Sequence, residues 1–208
     1  MVGMKEVPPT KAQRPRGRPR AAGADEEILQ ATLQLGQELG FDALSMEGIA
    51  VRAGVAKTTI YRRWRNVSEV VMDAFLWQVN RTSTLSAGAS ARESFRISMK
   101  RLARAYRGKT GRLMRTLVAR AQSDPKLLDA LSQRWVEPRR EIARGFVRAG
   151  IERGELRAGI DPDIVLDALY GPFYHRILVP YVGATLSDEY VETLVDLVFD
   201  GLVPRSSR

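Results

Sequence analysis

The chain has 208 residues, 44% of them hydrophobic, and 33 Lys and Arg against 24 Asp and Glu give it a formal charge of +9; that is enough apolar material for one large domain or two small ones. Zero Cys and a single His exclude disulfide frameworks, Cys/His zinc sites and thiol chemistry, and leave little for a nucleophile with an imidazole base, so an enzyme is disfavoured and neither cofactor nor metal is expected. With no eighteen-residue apolar run and no basic-apolar leader, the expectation is a cytoplasmic protein without a membrane segment.

Residues 1–24 read as a disordered basic arm, because Pro8, Pro9, Pro15 and Pro19 oppose helix and the apolar content is thin. From residue 25 onward apolar side chains recur at spacings of three and four and strand-like alternation is missing, so the fold is expected to be all-α. A first helix over 25–39 turns Ile28, Leu29, Thr32, Leu33 and Leu35 to Leu39 inward, with acids in its first turn, and Gly40 closes it. Ser45 caps a short helix ending at Ala53, Gly54 turns the chain, and another short helix covers 57–64. Asn66 and Glu69 have capping-box spacing for a fourth helix that buries Val70, Val71, Ala74, Phe75 and Val79. Beyond the Ser/Gly/Ala-rich stretch 82–91, helical periodicity resumes over 95–106 and 113–121. Asp124-Pro125 starts a helix towards Arg153 that Pro138 must kink or divide, and Asp161-Pro162 starts another that Pro172 must interrupt. Ser187 opens the last helix, ending near Leu202.

Charge is segregated along this order: +5 over residues 1–24, −3 over 25–80, +12 over 81–157 and −5 over 158–208. Positive segments favour anionic partners, nucleic acid above all, although arginines on helices with apolar opposite faces are by default solvated. Within the acidic block, 45-SMEGIAVRAGVAKTTIYRRWRN-66 compresses a capped helix, a glycine turn and a second short helix into the layout of a helix-turn-helix. Ile49, Ala50, Ala53, Val55, Ile60 and Trp64 supply its small core. Lys57, Thr58, Thr59, Tyr61, Arg62 and Arg63 are left outside, and four cations without an acid from 57 to 65 make one helix face locally positive. The blander alternative is three helices of an ordinary bundle.

The string from Ala53 to Trp64, AGVAKTTIYRRW, with Phe41, Ser45 and Ile49-Ala50 ahead of it, resembles the TetR family of bacterial transcriptional repressors over about residues 25–80. The stretch 154-GEL-156 before Asp161-Pro162, and 171-GPFYHR-176, resemble one branch of that family's C-terminal domains. The resemblance implies a DNA-binding domain over 25–80 and a ligand-binding and dimerisation domain over 81–208. It places Lys57, Thr58, Thr59, Tyr61 and Arg62 on double-stranded DNA, Tyr61 and Arg63 on phosphates, Lys57 or Thr59 nearer bases, and Ser45 and Arg52 on the backbone. Ala56 departs from the Ser or Thr that often caps the recognition helix.

In the C-terminal half, stripes Ile164, Ala168, Leu169 and Val191, Leu194, Val195, Val198, Leu202 could be donated to a two-fold mate, or could be intramolecular core. A dimer is favoured because one short helix reads few bases, whereas two held about 34 to 36 Å apart read a palindrome. Candidate linings for an unidentified small-molecule effector are Phe95, Met99, Leu102, Met114, Leu117, Trp135, Phe146, Tyr170, Phe173, Tyr174 and His175, with core packing as the alternative for each.

The arm contains 16-RGRP-19, the form of an AT-hook core, which with Arg20 would set Arg16 and Arg18 in an A·T minor groove. The eight steps from Arg16 to Ala24 span at most about 26 Å when extended, enough to reach the groove beside the one read by residues 57–63. The expected function is a ligand-responsive, sequence-specific regulator released from a palindromic operator. The alternative is an architectural DNA binder with no effector.

Overall fold

In a computed structural model of the chain, residues 20–179 and 185–204 are described. Among them there are ten α-helices and no strand. α1 (Arg20–Leu39), α2 (Met46–Arg52), α3 (Lys57–Tyr61) and α4 (Val67–Thr82) build the helix-turn-helix domain. α5 (Ala91–Tyr106), α6 (Lys109–Ala121), α7 (Pro125–Leu131), α8 (Glu137–Glu152), α9 (Pro162–Leu178) and α10 (Asp188–Asp200) build a helical C-terminal domain.

Side-chain caps set the starts of these helices. Ser45 Oγ accepts from Gly48 N at 3.1 Å, Asp161 Oδ1 from Asp163 N at 2.9 Å and Ser187 Oγ from Tyr190 N at 3.0 Å. Asn66 accepts from Glu69 N at 2.9 Å, and Glu69 reaches back to Arg65 N at 2.8 Å, one residue ahead of the usual capping-box donor. Each cap is worth about 0.5–2 kcal/mol to its helix. Ser90 caps α5 in the same way, from within the stretch expected to be only a connection.

Several expectations are corrected. α1 begins at Arg20, so residues 20–24 are helical and Asp25 to Glu27 fall beyond its first turn. Leu39, the last residue of α1, is exposed. α3 ends at Tyr61, and residues 62–63 form a turn ahead of Trp64, which is still buried. Pro138 does divide its helix, and a five-residue π turn, Ser132–Val136, joins the two halves. Pro138 then sits in the first turn of α8, where no N–H is needed. Pro172, by contrast, does not interrupt α9, which runs through it. Pro172 and Ala168, whose carbonyl loses its donor, are both exposed, so water can satisfy that group.

α1 packs along α4, and α2 lies against α1 and α3. Ile28, Ile49, Ile60, Val70, Val71, Ala74, Phe75 and Val79 are sealed from solvent. The joint between α1 and α2 depends on Gly36, where a Cβ would lie 2.2 Å from the Phe41 ring. α4 continues into the C-terminal domain, touching α5, α6 and α7. There α5 packs on α10 and α8, with Phe95 edge-on to Phe146 and tilted against Phe199, each at 5.8 Å.

The segregated charge is an internal pairing. Cations of α5 face acids of α10: Arg92 meets Asp196 at 3.3 Å and Asp200 at 2.6 Å, and Arg96 meets Asp196 at 2.7 Å. Lys100 pairs with Glu192, Arg104 pairs with Asp188, and Arg107 reaches Asp188 at 3.1 Å. α8 repeats the scheme against α9 through Arg140 with Asp163 and Asp167, and through Arg144 with Asp163. Acids of the −5 block thus pair with cations of the +12 block, which keeps its positive surplus. Single surface pairs contribute about 0–1 kcal/mol, so the ladder aligns the helices more than it stabilises them.

Candidate nucleic-acid interface

The reading head is built by two short helices and a glycine turn. Gly54 has φ 65°, a conformation side chains rarely adopt, and it redirects the chain between α2 and α3. Ile49, Ala50 and Ile60 lock the two helices together. Lys57, Thr58, Tyr61 and Arg62 are consequently exposed on one side of α3, with Thr59 half-buried. Ala56 makes no side-chain cap, as its residue type requires.

Several of these groups lean on acids that the sequence pattern did not single out. Glu47 of α2 accepts from the Tyr61 hydroxyl at 3.0 Å and lies 3.8 Å from Lys57 Nζ. Its own backbone N–H, then Tyr61 and Lys57, hold the Glu47 carboxyl below its ordinary range, and the same contact raises the Tyr61 phenol. Arg52 forms a bidentate pair with Glu38 at 2.8 and 2.6 Å, which lowers the Glu38 carboxyl through that hydrogen bonding. Arg63 differs most from expectation. Its Nε lies 2.5 Å from Asp25 Oδ1 and its side chain is only 17% exposed, so it pins the turn after α3 to α1 instead of standing outside.

Beyond the reading head, Trp64 Nε1 donates to Asp73 Oδ2 of α4 at 2.8 Å, and Arg134 of the π turn reaches Asp73 Oδ1 at 2.5 Å. The next residue, Trp135, packs edge-on against Phe75 of α4 with ring centroids 5.1 Å apart. A second tie joins Arg120 of α6 to Asp42 at 2.9 Å and to the Phe41 carbonyl at 3.0 Å.

Behind Trp135 a cleft of about 60 Å³ opens, lined by Leu102, Val136, Arg139, Arg140, Tyr170 and Tyr174 as well as the indole. Of the expected ligand-lining residues it gathers Leu102, Trp135, Tyr170 and Tyr174. Phe95, Met99, Met114, Leu117 and Phe173 are core, 0 or 1% exposed, because the apolar faces of adjacent helices close on one another there. Phe146 is half-buried against Phe95, and His175 lies on the exposed side of α9. Sequence reasoning missed Arg139 and Arg140. The signal for Arg139 was its place four residues after Trp135, which sets its guanidinium 4.2 Å over the indole.

The expected dimer stripes divide. Leu169, Val191, Leu194 and Val195 are buried in the chain's own core, since α10 turns them towards α5 and α9. Ile164 is 65% exposed, Ala168 is exposed, and Val198 and Leu202 are half-buried beside them along a groove. Leu197, not anticipated, is 73% exposed. Arg16 and Arg18 lie outside the described residues. Arg20 is the first residue of α1, so the extended 26 Å span cannot apply, and from Arg20 the four steps to Arg16 cover at most about 13 Å.

Comparison with known proteins is consistent with this geometry. Residues 28–71 match bacterial regulatory proteins of the tetR family, and residues 87–198 match the tetracyclin repressor-like C-terminal domain. The chain is similar to the HTH-type transcriptional regulator YdeS of Bacillus subtilis, 36% identical over 195 residues that cover 94% of this chain and 98% of that one. It is also similar to a DNA-binding transcriptional repressor, TetR, of Mycobacteroides abscessus, 28% identical over 93% of this chain and 98% of that one. Among solved structures it resembles the TetR family transcription regulator SCO0332, with a TM-score of 0.71 and 28% identity over 87% of this chain and 99% of that one. It shares its fold with FadR of Bacillus subtilis, solved with stearoyl-CoA, at a TM-score of 0.68 and 18% identity over 85% of this chain and 98% of that one. With a helix-turn-helix at one end, a helical bundle at the other and relatives that span both, this chain belongs to the TetR family of transcriptional regulators.

Proposed function

We propose that the protein is a homodimeric repressor that binds a palindromic operator through α3 and is released by a small molecule, with the division between reading head and regulatory domain near the end of α4. The observation that carries this reading is the exposed row Lys57, Thr58, Tyr61 and Arg62 on a helix otherwise anchored by Ile60. A helix of this size fits the major groove, where Lys and Arg read guanine edges and hydroxyls reach phosphates. The half-paired cations support it: Lys57 and Arg52 exchange an acid for a phosphate without leaving a charge buried.

Dimerisation is supported by Ile164, Ala168 and Leu197, apolar groups left on the outer face of α9 and α10 that a second copy would cover. Repression is supported by the name of the Mycobacteroides abscessus relative, and a ligand by the FadR complex with stearoyl-CoA. An effector that binds better when the two heads are wrongly spaced weakens DNA binding by its differential affinity. A coupling of about 1–3 kcal/mol is enough for induction.

The test is selection of binding sites from random duplex DNA at stated salt, with sedimentation of the complex. Two-fold symmetric sites bound more than about tenfold better than random duplex by a dimer are expected. A preference below about tenfold overturns the reading and favours an architectural binder.

A further inference from the structure

We propose that the cleft beside the π turn takes an organic anion, a carboxylate on an apolar or aromatic body, and that Arg139 is its anchor. This rests on the ligand-responsive reading above. The cations near Arg139 on the π turn and α8 all have carboxylate partners: Arg134 pairs with Asp73, Arg140 with Asp163 and Asp167, Arg144 with Glu137, Glu141 and Asp163, and Arg148 with Glu141. Arg139 makes no ion pair among the described residues. Instead its guanidinium lies over Trp135 at 4.2 Å, and Nη1 donates to the Ser83 carbonyl at 2.8 Å. A half-buried cation facing an aromatic wall with no acid beside it is an incomplete pair.

A second group points the same way. The Tyr106 hydroxyl is buried, and among the described residues no hydrogen bond of good geometry satisfies it. Tyr174 and Trp135 are polar neighbours close enough to influence it by hydrogen bonding, and Arg139 acts on it through its charge; all three are residues of the cleft wall. Burial, then Tyr174, raises the Tyr106 phenol well above its usual range, and burial pushes the Tyr170 phenol up to about 12, so both stay protonated as donors. A fork of guanidinium N–H groups and nearby phenolic O–H groups suits a carboxylate. A cationic ligand would meet Arg139 and Arg140 unfavourably, and a neutral one would leave Arg139 without a carboxylate partner. The 60 Å³ cleft receives a head group against Leu102, and the body continues outwards past the exposed Val136.

The anchor is shared with the lever between the domains. Ser83 is the C-terminal cap of α4, its own N–H donating to Val79 O at 2.8 Å, and it is fully buried. Arg139 therefore serves as the cation at the negative end of α4. A carboxylate that draws the guanidinium into the cleft takes that cap away, and α4 also carries Asp73, which holds Trp64 behind the reading helix.

The test uses the full-length protein with benzoate, indole-3-acetate and octanoate, each against its primary amide, read by thermal midpoint and tryptophan fluorescence. At least one acid is expected to bind tenfold or more tighter than its amide and to weaken affinity for the selected operator at least fivefold. Arg139→Gln should remove the acid-over-amide preference, and Tyr106→Phe, which keeps the ring packing, should reduce acid affinity severalfold without changing amide binding. Amides that bind as well as acids, a preference that survives Arg139→Gln, or failure of all three acids to bind would overturn the proposal. If a neutral compound releases the operator while the acids do not bind, the anion assignment falls and the ligand-responsive reading stands. If an acid binds through Arg139 but leaves operator affinity unchanged, the anion site stands and control of DNA binding through it falls.

Discussion

Trp64 donates its indole N–H to Asp73 at 2.8 Å, so the residue that closes the reading helix is hydrogen-bonded to the helix that leads into the C-terminal domain. The other oxygen of that carboxylate is held by Arg134 at 2.5 Å. One side chain thus receives the recognition helix from one side and the π turn from the other. Because the indole is otherwise buried, the pair cannot be broken without leaving a donor unsatisfied.

Replacing Asp73 with Ala strands the Trp64 N–H and frees Arg134. A loss of about 1–3 kcal/mol in folding stability is expected from denaturant titration. Operator affinity should fall as well, because α3 loses its rear support. Trp64→Phe should cost less in the Asp73→Ala background than in the unchanged protein, since the shared hydrogen bond is already gone and only the lost indole packing remains.

Alanine at Lys57 and at Arg62 should separate reading from holding. A residue on a base edge costs about 1–3 kcal/mol and relaxes preference at one operator position. A residue on phosphate weakens all sequences alike and lowers the salt slope by about 1. Arg16→Ala with Arg18→Ala should flatten the slope by about 1 to 2 and remove any preference for A·T flanks, if the arm lies in the minor groove. An unchanged slope and affinity would assign the arm no DNA contact. The measurement is fluorescence anisotropy across a salt series.

Gly36→Ala should destabilise the reading head, because the added methyl would stand 2.2 Å from the Phe41 ring. Phe41 is buried and its carbonyl is held by Arg120, so it has little room to retreat. Overpacking of this kind costs about 1–3 kcal/mol, read as a lowered denaturation midpoint.

Acid should loosen the C-terminal domain. Arg104 and then Arg107 hold the Asp188 carboxyl below its ordinary 3.8, and Arg140 and Arg144 do the same for Asp163. A carboxyl depressed in the folded state contributes stability that is fully present above the unfolded value and is lost as pH falls through the folded one. Stability should therefore be level down to about pH 5 and decline below about pH 4. Asp188→Asn should start lower at neutral pH and show a shallower acid limb, as followed by denaturant midpoints between those pH values.

Much of the frame was legible locally. Ser45, Asn66, Asp161 and Ser187 cap the helices that their residue types and spacing announce, and the turn at Gly54 follows from its place between two short apolar repeats. Pro172 misled because a proline's cost depends on whether the freed carbonyl meets water, and that is a property of the packed helix. Leu169, Val191, Leu194 and Val195 misled as dimer residues because an apolar stripe does not say which neighbour covers it. Arg63 misled because its neighbour in space, Asp25, is thirty-eight residues away in sequence.

By itself the sequence determined the all-helical class, the reading head with Lys57, Thr58, Tyr61 and Arg62 outward, and the segregation of charge, since each depends on periodicity and residue type within about twenty positions. Only the tertiary structure decided that the acids of the −5 block pair with cations of the +12 block, that Glu47 leans on the recognition helix and Asp25 on the turn after it, and that Arg139 stands in the cleft without an acid while capping α4. Charge pairing, burial and cavity walls depend on which helices become neighbours, and that is settled by the packing of the whole chain.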